Sequence, residues 1–192
     1  DDIMLPRLFL GFRSPVFGSD EYYASSVCGA ALGLRNGSRL RRRLVRERQI
    51  AADASAFTYD LAKGADLLVV DVTARPGVGA EQLEREVAYE IDQVVRDGLE
   101  APEVERAVAV IQTMFVTSMQ QAGERADRLS LFATYFDNPD RLNEEVERYA
   151  AVTTEGVNDF IRDRLGENNR ASLVYVPRDD APAELVGVGA AA

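Results

Sequence analysis

Histidine is absent from all 192 residues, and that absence excludes more chemistry than any residue present. Without an imidazole this chain has no such zinc ligand, general base or triad member, which closes most metalloprotease and Ser-His hydrolase mechanisms to it taken alone. No catalytic residue and no metal ligand is expected here. Cysteine is nearly absent as well. Cys28 is the sole one, so no internal disulfide can form and the redox compartment stays open. It sits in the apolar run Val27-Cys28-Gly29-Ala30-Ala31-Leu32 with no basic neighbour to lower its pKa, which reads as a buried structural thiol. No run approaches the roughly 18 to 20 apolar residues that span a bilayer. The first residues, Asp1-Asp2-Ile3-Met4-Leu5-Pro6, carry acids where a signal peptide carries bases. Either nothing is targeted or the targeting segment lies outside this sequence. A soluble bacterial-type protein of cytoplasm or periplasm is compatible with both.

The charge that is there is mostly negative. A formal net charge of −10 argues against a nucleic-acid partner, because phosphate contacts need a basic field. Apolar residues make up 46% and charged residues 28%, the proportions of an ordinary globular domain. The length suits one well-buried domain.

The apolar pattern yields the element order. Leu8-Phe9-Leu10-Gly11-Phe12, between Pro6 and Pro15, predicts a buried strand. Ser19 or Asp20 can cap a helix through Tyr22, Tyr23, Val27 and Leu32 that ends in the Gly33 to Gly37 region, and Ser38 can cap an arginine-rich helix to about Arg48. Residues Ile50 to Tyr59 and Asp66 to Arg75, joined around Lys63-Gly64, read as an antiparallel pair. After Pro76-Gly77 the period changes to 3.6: Leu83, Val87, Ile91, Val94 and Val95 share a face up to Gly98. Pro102 opens the next helix to about Gln121. Glu124 to Tyr135, Leu142 to Tyr149 and a helix opened by Thr153 follow, and Arg170 to Pro177 is a last strand. The fold class is therefore α+β, a mainly antiparallel sheet of about four to six strands covered by helices, in the order β-α-α-β-β-α-α-α-α-α-β. One domain over residues 1–178 and a loose tail over 179–192 are expected.

Three features invite a chemical reading. Arginines 35, 39, 41, 42, 43, 46 and 48 form the densest charge cluster, able to face an acidic partner or to pair with local acids. Glu86 and Glu90 stand one helical turn apart and could hold a hard cation, although Arg85 and the amphipathic pattern favour a wet face. Gly33-Leu34-Arg35-Asn36-Gly37-Ser38 has the look of an anion-binding helix start. It fits neither a P-loop nor a dinucleotide fingerprint and reads as an inter-helix turn.

Gly37-Ser38-Arg39-Leu40, Leu44, Arg46-Glu47-Arg48-Gln49-Ile50-Ala51 and Ser55-Ala56-Phe57 resemble, without a gap, the G-x-S-S-R-L…L-R-E-K-R-G-L-A-Y-S-V-S-S-F segment of the insulinase/pitrilysin/mitochondrial-processing-peptidase family. Val152-Thr153-Thr154-Glu155-Gly156-Val157, Leu165 and Arg170 to Pro177 are similar to its T-x-E-D-V helix and closing strand. The resemblance covers about residues 5 to 178 and implies the C-terminal domain of a zinc peptidase. In that family an inverted His-x-x-Glu-His motif of the N-terminal domain holds the zinc, and two related domains enclose a peptide in a chamber. It implies no cofactor in this chain, zinc in the parent protein, a zinc-bearing N-terminal domain or partner subunit, a peptide substrate and a possible dimer. Many members place an arginine and, seven residues later, a tyrosine here as hydrogen-bond donors to the substrate. Val45 and Ala52 occupy those positions. With Arg39, Arg46 and Phe57 they are the expected chamber or docking positions. The alternative is a non-enzymatic assembly subunit of the same fold.

Overall fold

A computed structural model describes residues 3–61 and 64–177. Its order is β1 (Arg7–Ser14), α1 (Asp20–Gly33), a π-helical segment (Arg41–Glu47), β2 (Ala51–Thr58), β3 (Asp66–Ala74), α2 (Ala80–Asp97), α3 (Ala101–Ser118), α4 (Ala122–Phe136), α5 (Glu145–Ala150), α6 (Thr154–Arg164) and β4 (Arg170–Tyr175), with short 3₁₀ turns at Pro139–Asn143 and Glu167–Asn169. The expected α+β order holds. The sheet has four strands, the low end of the expected range, all paired antiparallel in the order β2-β3-β1-β4. The expected tail over 179–192 and Lys63 of the hairpin joint lie outside the described residues.

Alternation along the strands makes one face of the sheet the core. Leu8, Leu10 and Phe12 of β1 and Leu68, Val70 and Val72 of β3 are buried against the helices. Phe9, Gly11, Asp71 and Thr73 point the other way and are only half-buried. On the core face of β2 the inward residues are Ala51, Ala54 and Ala56. These small side chains let α1 lie almost on the strand backbone. Gly33 completes the fit: a Cβ there would fall 1.8 Å from the Ala56 nitrogen and 2.3 Å from the Ser55 carbonyl carbon. Gly29, one turn earlier, would bring its Cβ to 3.5 Å from Phe57 Cα, an ordinary contact. Gly33 is the last residue of α1, as its sequence position implies, but its backbone is not left-handed. Space is what requires glycine there.

The helices bury the faces their periodicity predicts. Leu83, Val87, Ile91 and Val94 of α2 are fully buried, as are Val157 and Ile161 of α6. Gly98 stops α2 with φ of 76°, Pro102 lies in the first turn of α3, and Thr153 caps α6 by accepting from the Gly156 N–H at 3.1 Å. The caps expected from Ser19 and Ser38 do not form through their side chains. Each hydroxyl instead donates backwards, Ser19 to the Val16 carbonyl at 2.9 Å and Ser38 to the Arg35 carbonyl at 2.8 Å. Both close the preceding turn, a local bond that competes with capping. Cys28 is fully buried, and burial pushes its thiol well above the usual range.

Packing thins toward the middle of the helical region. In α3 nothing beyond Ala107 is fully buried, and α4 buries only Phe132. That ring joins a cluster in which Phe17 stands 5.0 Å from Tyr22 and 5.7 Å from Phe136, and Tyr23 stands 5.0 Å from Tyr149. Edge-to-face geometry of this kind adds to simple area burial.

The contact of α1 with β2 yields a direct test. Gly33→Ala should lower unfolding free energy by about 2 kcal/mol or more, since a methyl group has no space against backbone. Gly11→Ala, whose Cβ would meet nothing within 4 Å, should change stability by less than about 0.5 kcal/mol. Urea midpoints of the two variants at neutral pH measure both.

Candidate functional site

The arginine-rich segment is the first candidate, and the structure turns most of it inward. Arg39 donates from Nε to Glu103 Oε1 at 3.0 Å, pairs again through Nη2 with Glu103 Oε2, and donates from Nη1 to the Gly98 carbonyl at 3.2 Å. Arg42 adds a second cation 3.7 Å from Glu103. Arg43 bridges Glu47 at 2.6 Å and Glu90 at 3.3 Å, and Arg48 pairs with Glu86 and approaches Glu90 at 3.8 Å. Arg41 binds Asp53 and donates to the Ala54 carbonyl at 3.4 Å. The segment is thus tied to α2, to the start of α3 and to β2. Glu86 and Glu90, the pair that could have held a cation, are occupied by guanidinium groups.

The expected chamber or docking positions divide. Arg39 is engaged as described, with a side chain only 15% exposed. Val45 is half-buried and packs against the core. Ala52 is exposed, at the irregularity where the β2 register shifts between Ala51 and Asp53. Arg75, at the end of β3, joins these two places by donating to the Val45 carbonyl and to the Ala51 carbonyl, each at 3.2 Å. Arg46 is exposed and makes no ion pair among the described residues. Phe57 lies farther along β2, 39% exposed, its ring 5.4 Å from that of Tyr59.

Phe57 also rims a feature that no sequence pattern announces. A cavity of about 150 Å³ opens beside the end of β2, and Tyr22, Ser26, Thr58, Asp60 and Tyr149 supply its polar lining. Tyr22 donates to Asp60, and Thr58 donates to the same carboxylate oxygen at 3.1 Å. The Ser26 and Tyr149 hydroxyls lie 3.2 Å apart. Asp60 holds a left-handed backbone, φ 58°, which aspartate tolerates better than most residues. Burial pushes the Tyr149 phenol up to about 12, and the Tyr22 phenol rises further for the same reason. Both are therefore neutral donors at physiological pH. These residues come from α1, the end of β2, the β2–β3 connection and α5, too far apart in sequence to be read as a group.

The donor set does not fit zinc. Among the described residues no three His, Cys, Asp or Glu side chains converge in a way that could hold a metal ion. Among the described residues no helix is long and apolar enough to cross a membrane.

Residues 1–111 match the family model described as the peptidase M16 inactive domain. An uncharacterized zinc protease of Streptomyces coelicolor is 25% identical over 179 residues, 93% of this chain and 39% of that protein. A solved protease from Helicobacter pylori has the same fold, with a TM-score of 0.81 at 15% identity over 92% of this chain and 42% of that one. An inactive peptidase domain from Bordetella parapertussis gives 0.79 at 18% identity, over 90% of this chain and 92% of that one. The chain thus spans about two fifths of the first two relatives and nearly all of the third, a chain solved at this domain's size.

The Glu103 cluster sets a pH dependence. Burial alone would push this carboxyl up, but the Arg39 hydrogen bond, the Glu100 N–H at 3.0 Å and the charges of Arg39 and Arg42 outweigh it and hold it below the ordinary value. A carboxyl lowered by folding contributes stability above its unfolded pKa, and that contribution is lost as pH falls through the folded pKa. Glu145 runs the other way. Burial raises its carboxyl despite the Tyr23 hydrogen bond, so its contribution is present at low pH and lost as pH rises through the folded pKa. Glu103→Gln should therefore cost about 2 kcal/mol or more at neutral pH and flatten the acid limb of stability. Glu145→Gln should remove a slope of opposite sign. Urea midpoints measured from about pH 3 to 7 separate the two.

Proposed function

The chain belongs to the peptidase M16 family as its inactive, C-terminal-type domain, and from that membership we propose that it is the non-catalytic C-terminal half of a zinc-dependent endopeptidase. The family match carries this reading, joined to a chain without histidine. Zinc then belongs to the other half or to a partner subunit, and this half encloses the peptide and docks the zinc-bearing part. One domain over residues 1–178 performs both tasks.

The geometry at the expected chamber positions supports enclosure over chemistry. Val45 and Ala52 carry no side-chain donor, and the guanidinium of Arg75 beside them is tied to the backbone carbonyls of Val45 and Ala51. Arg46, Ala52 and Phe57 are the exposed members of the set and form its share of the chamber wall. Arg39 acts from behind them by fixing the segment to α3.

Co-expression with the zinc-bearing domain or subunit of the same protein tests this. The assembled protein should cleave an unfolded peptide, and a chelator should abolish the cleavage, while residues 1–192 alone show none. Cleavage by the isolated chain would overturn the proposal. Assembly that binds no zinc would move the reading to a non-enzymatic assembly subunit, which the missing donors at Val45 and Ala52 also suit.

A further inference from the structure

Two cavities run together on the side of the helical layer formed by α1 and α6. One, of about 440 Å³, lies between Pro15, the first turns of α1 and the outer side of α6. The other, of about 290 Å³, continues it toward the α5–α6 turn, and the two share Asp20, Ala24 and Gly156. Gly33, at the opposite end of α1, is the residue that meets β2, so about 20 Å of helix separates this groove from that contact. Pro15, Ala24, Val152 and Phe160 make its floor apolar. A Cβ on Gly156 would meet only Thr153 Oγ, at 3.3 Å, so small residues on both walls leave room for incoming side chains.

The rim is acidic on both walls. Asp20 and Glu21 stand on α1, and Asp159 and Asp163 stand one turn apart on α6, with Glu155 a turn before them. The helix macrodipole favours acids in a first turn, which accounts for Asp20, Glu21 and Glu155. It opposes Asp163, which lies in the last turn of α6, and like charges four residues apart repel. Asp159 leans on Arg162, and Asp163 on Arg164 at 2.7 Å, exposed pairs that contribute little. Asp20 is almost fully exposed and shares Arg148 with Glu144, while Glu21 makes no ion pair among the described residues. The stability of α6 therefore gives no reason for its two aspartates, and their place on the rim of an apolar groove does.

Both walls are helices, whose backbone groups bond internally, so an extended chain finds no ladder to join here. A helix satisfies its own backbone and needs only an apolar stripe and flanking charges. A second copy of this chain suits the groove poorly: its net charge is −10, and its densest basic segment is paired with its own Glu47, Glu86, Glu90 and Glu103. We propose that the groove between α1 and α6 docks an amphipathic helix of a partner protein whose apolar stripe is flanked by lysine or arginine, with Asp159 and Asp163 pairing to its cations. This is a separate task from the enclosure of peptide proposed above and does not rest on it.

The probe is a fluorophore-labelled 18-residue peptide of leucine and lysine with a 3.6-residue period, titrated into residues 1–192 and followed by anisotropy. Asp159→Asn combined with Asp163→Asn should weaken binding at least about tenfold, with a urea midpoint unchanged or raised because α6 loses a repulsion. Glu105→Gln combined with Glu124→Gln removes the same charge from exposed positions outside the groove and should change the affinity less than about twofold. A peptide of the same composition with two central prolines, which cannot form the helix, should bind at least about tenfold more weakly. Absence of saturable binding, an equal loss in both double variants, or equal binding of the proline peptide overturns the proposal. So does a dimer of the unmodified chain that sedimentation shows to be lost in the Asp159→Asn, Asp163→Asn variant, because the groove then belongs to a second copy. Zinc-dependent cleavage by the assembled protein is measured independently, and neither result decides the other.

Discussion

The position of nearly everything else follows from the contact between α1 and the backbone of β2. Gly33 admits the helix to a distance no Cβ could occupy, and the three alanines on the inner face of β2 keep that surface low. A close helix sets where its side chains reach. Tyr22 and Ser26 arrive beside Thr58 and Asp60, and Val27, Cys28 and Leu32 are fully buried in the core. Were α1 lifted by the thickness of a methyl group, the aromatic cluster around Phe17 and the bonds to Asp60 would lose their geometry together. Interiors packed at crystal-like density transmit such shifts.

A second constraint is electrostatic. An acidic chain places its arginines where buried carboxylates need them: Glu90 and Glu103 are both nearly inaccessible, and each is met by guanidinium groups of the π-helical segment and the residues flanking it. Losing one partner would leave a charge stranded out of water, the costly half of any buried pair. The density of arginine in this stretch thus serves to fasten a short, irregular helix that buries only Leu44. Hydrophobic contact alone could not hold it.

Much of this was legible in the residues. The 3.6 period of α2, the alternation of β1 and β3 and the punctuation by Gly98, Pro102 and Thr153 each encode a local preference that the fold keeps. The gapless similarity around Gly37 to Phe57 identified the family, because it joins several weak signals at fixed spacing. What stayed illegible depends on contacts between distant segments. Nothing near Glu90 or Glu103 shows that each will be buried against an arginine about fifty to sixty residues away, and a hydroxyl such as that of Ser38 can cap or can close a turn with equal local chemistry. The Tyr22, Asp60 and Tyr149 grouping is illegible for the same reason.

The weak anchoring of α4 has one more consequence. Of fifteen residues only Phe132 is fully buried, with Leu131 and Phe136 partly buried beside it, while the sheet is held on its core face by fully buried leucines, valines and phenylalanine. Segments with few buried apolar contacts open at a small fraction of the global unfolding free energy and exchange their amide protons by that local route. The helix that carries Arg128 is therefore a foldon of low stability joined to a rigid one.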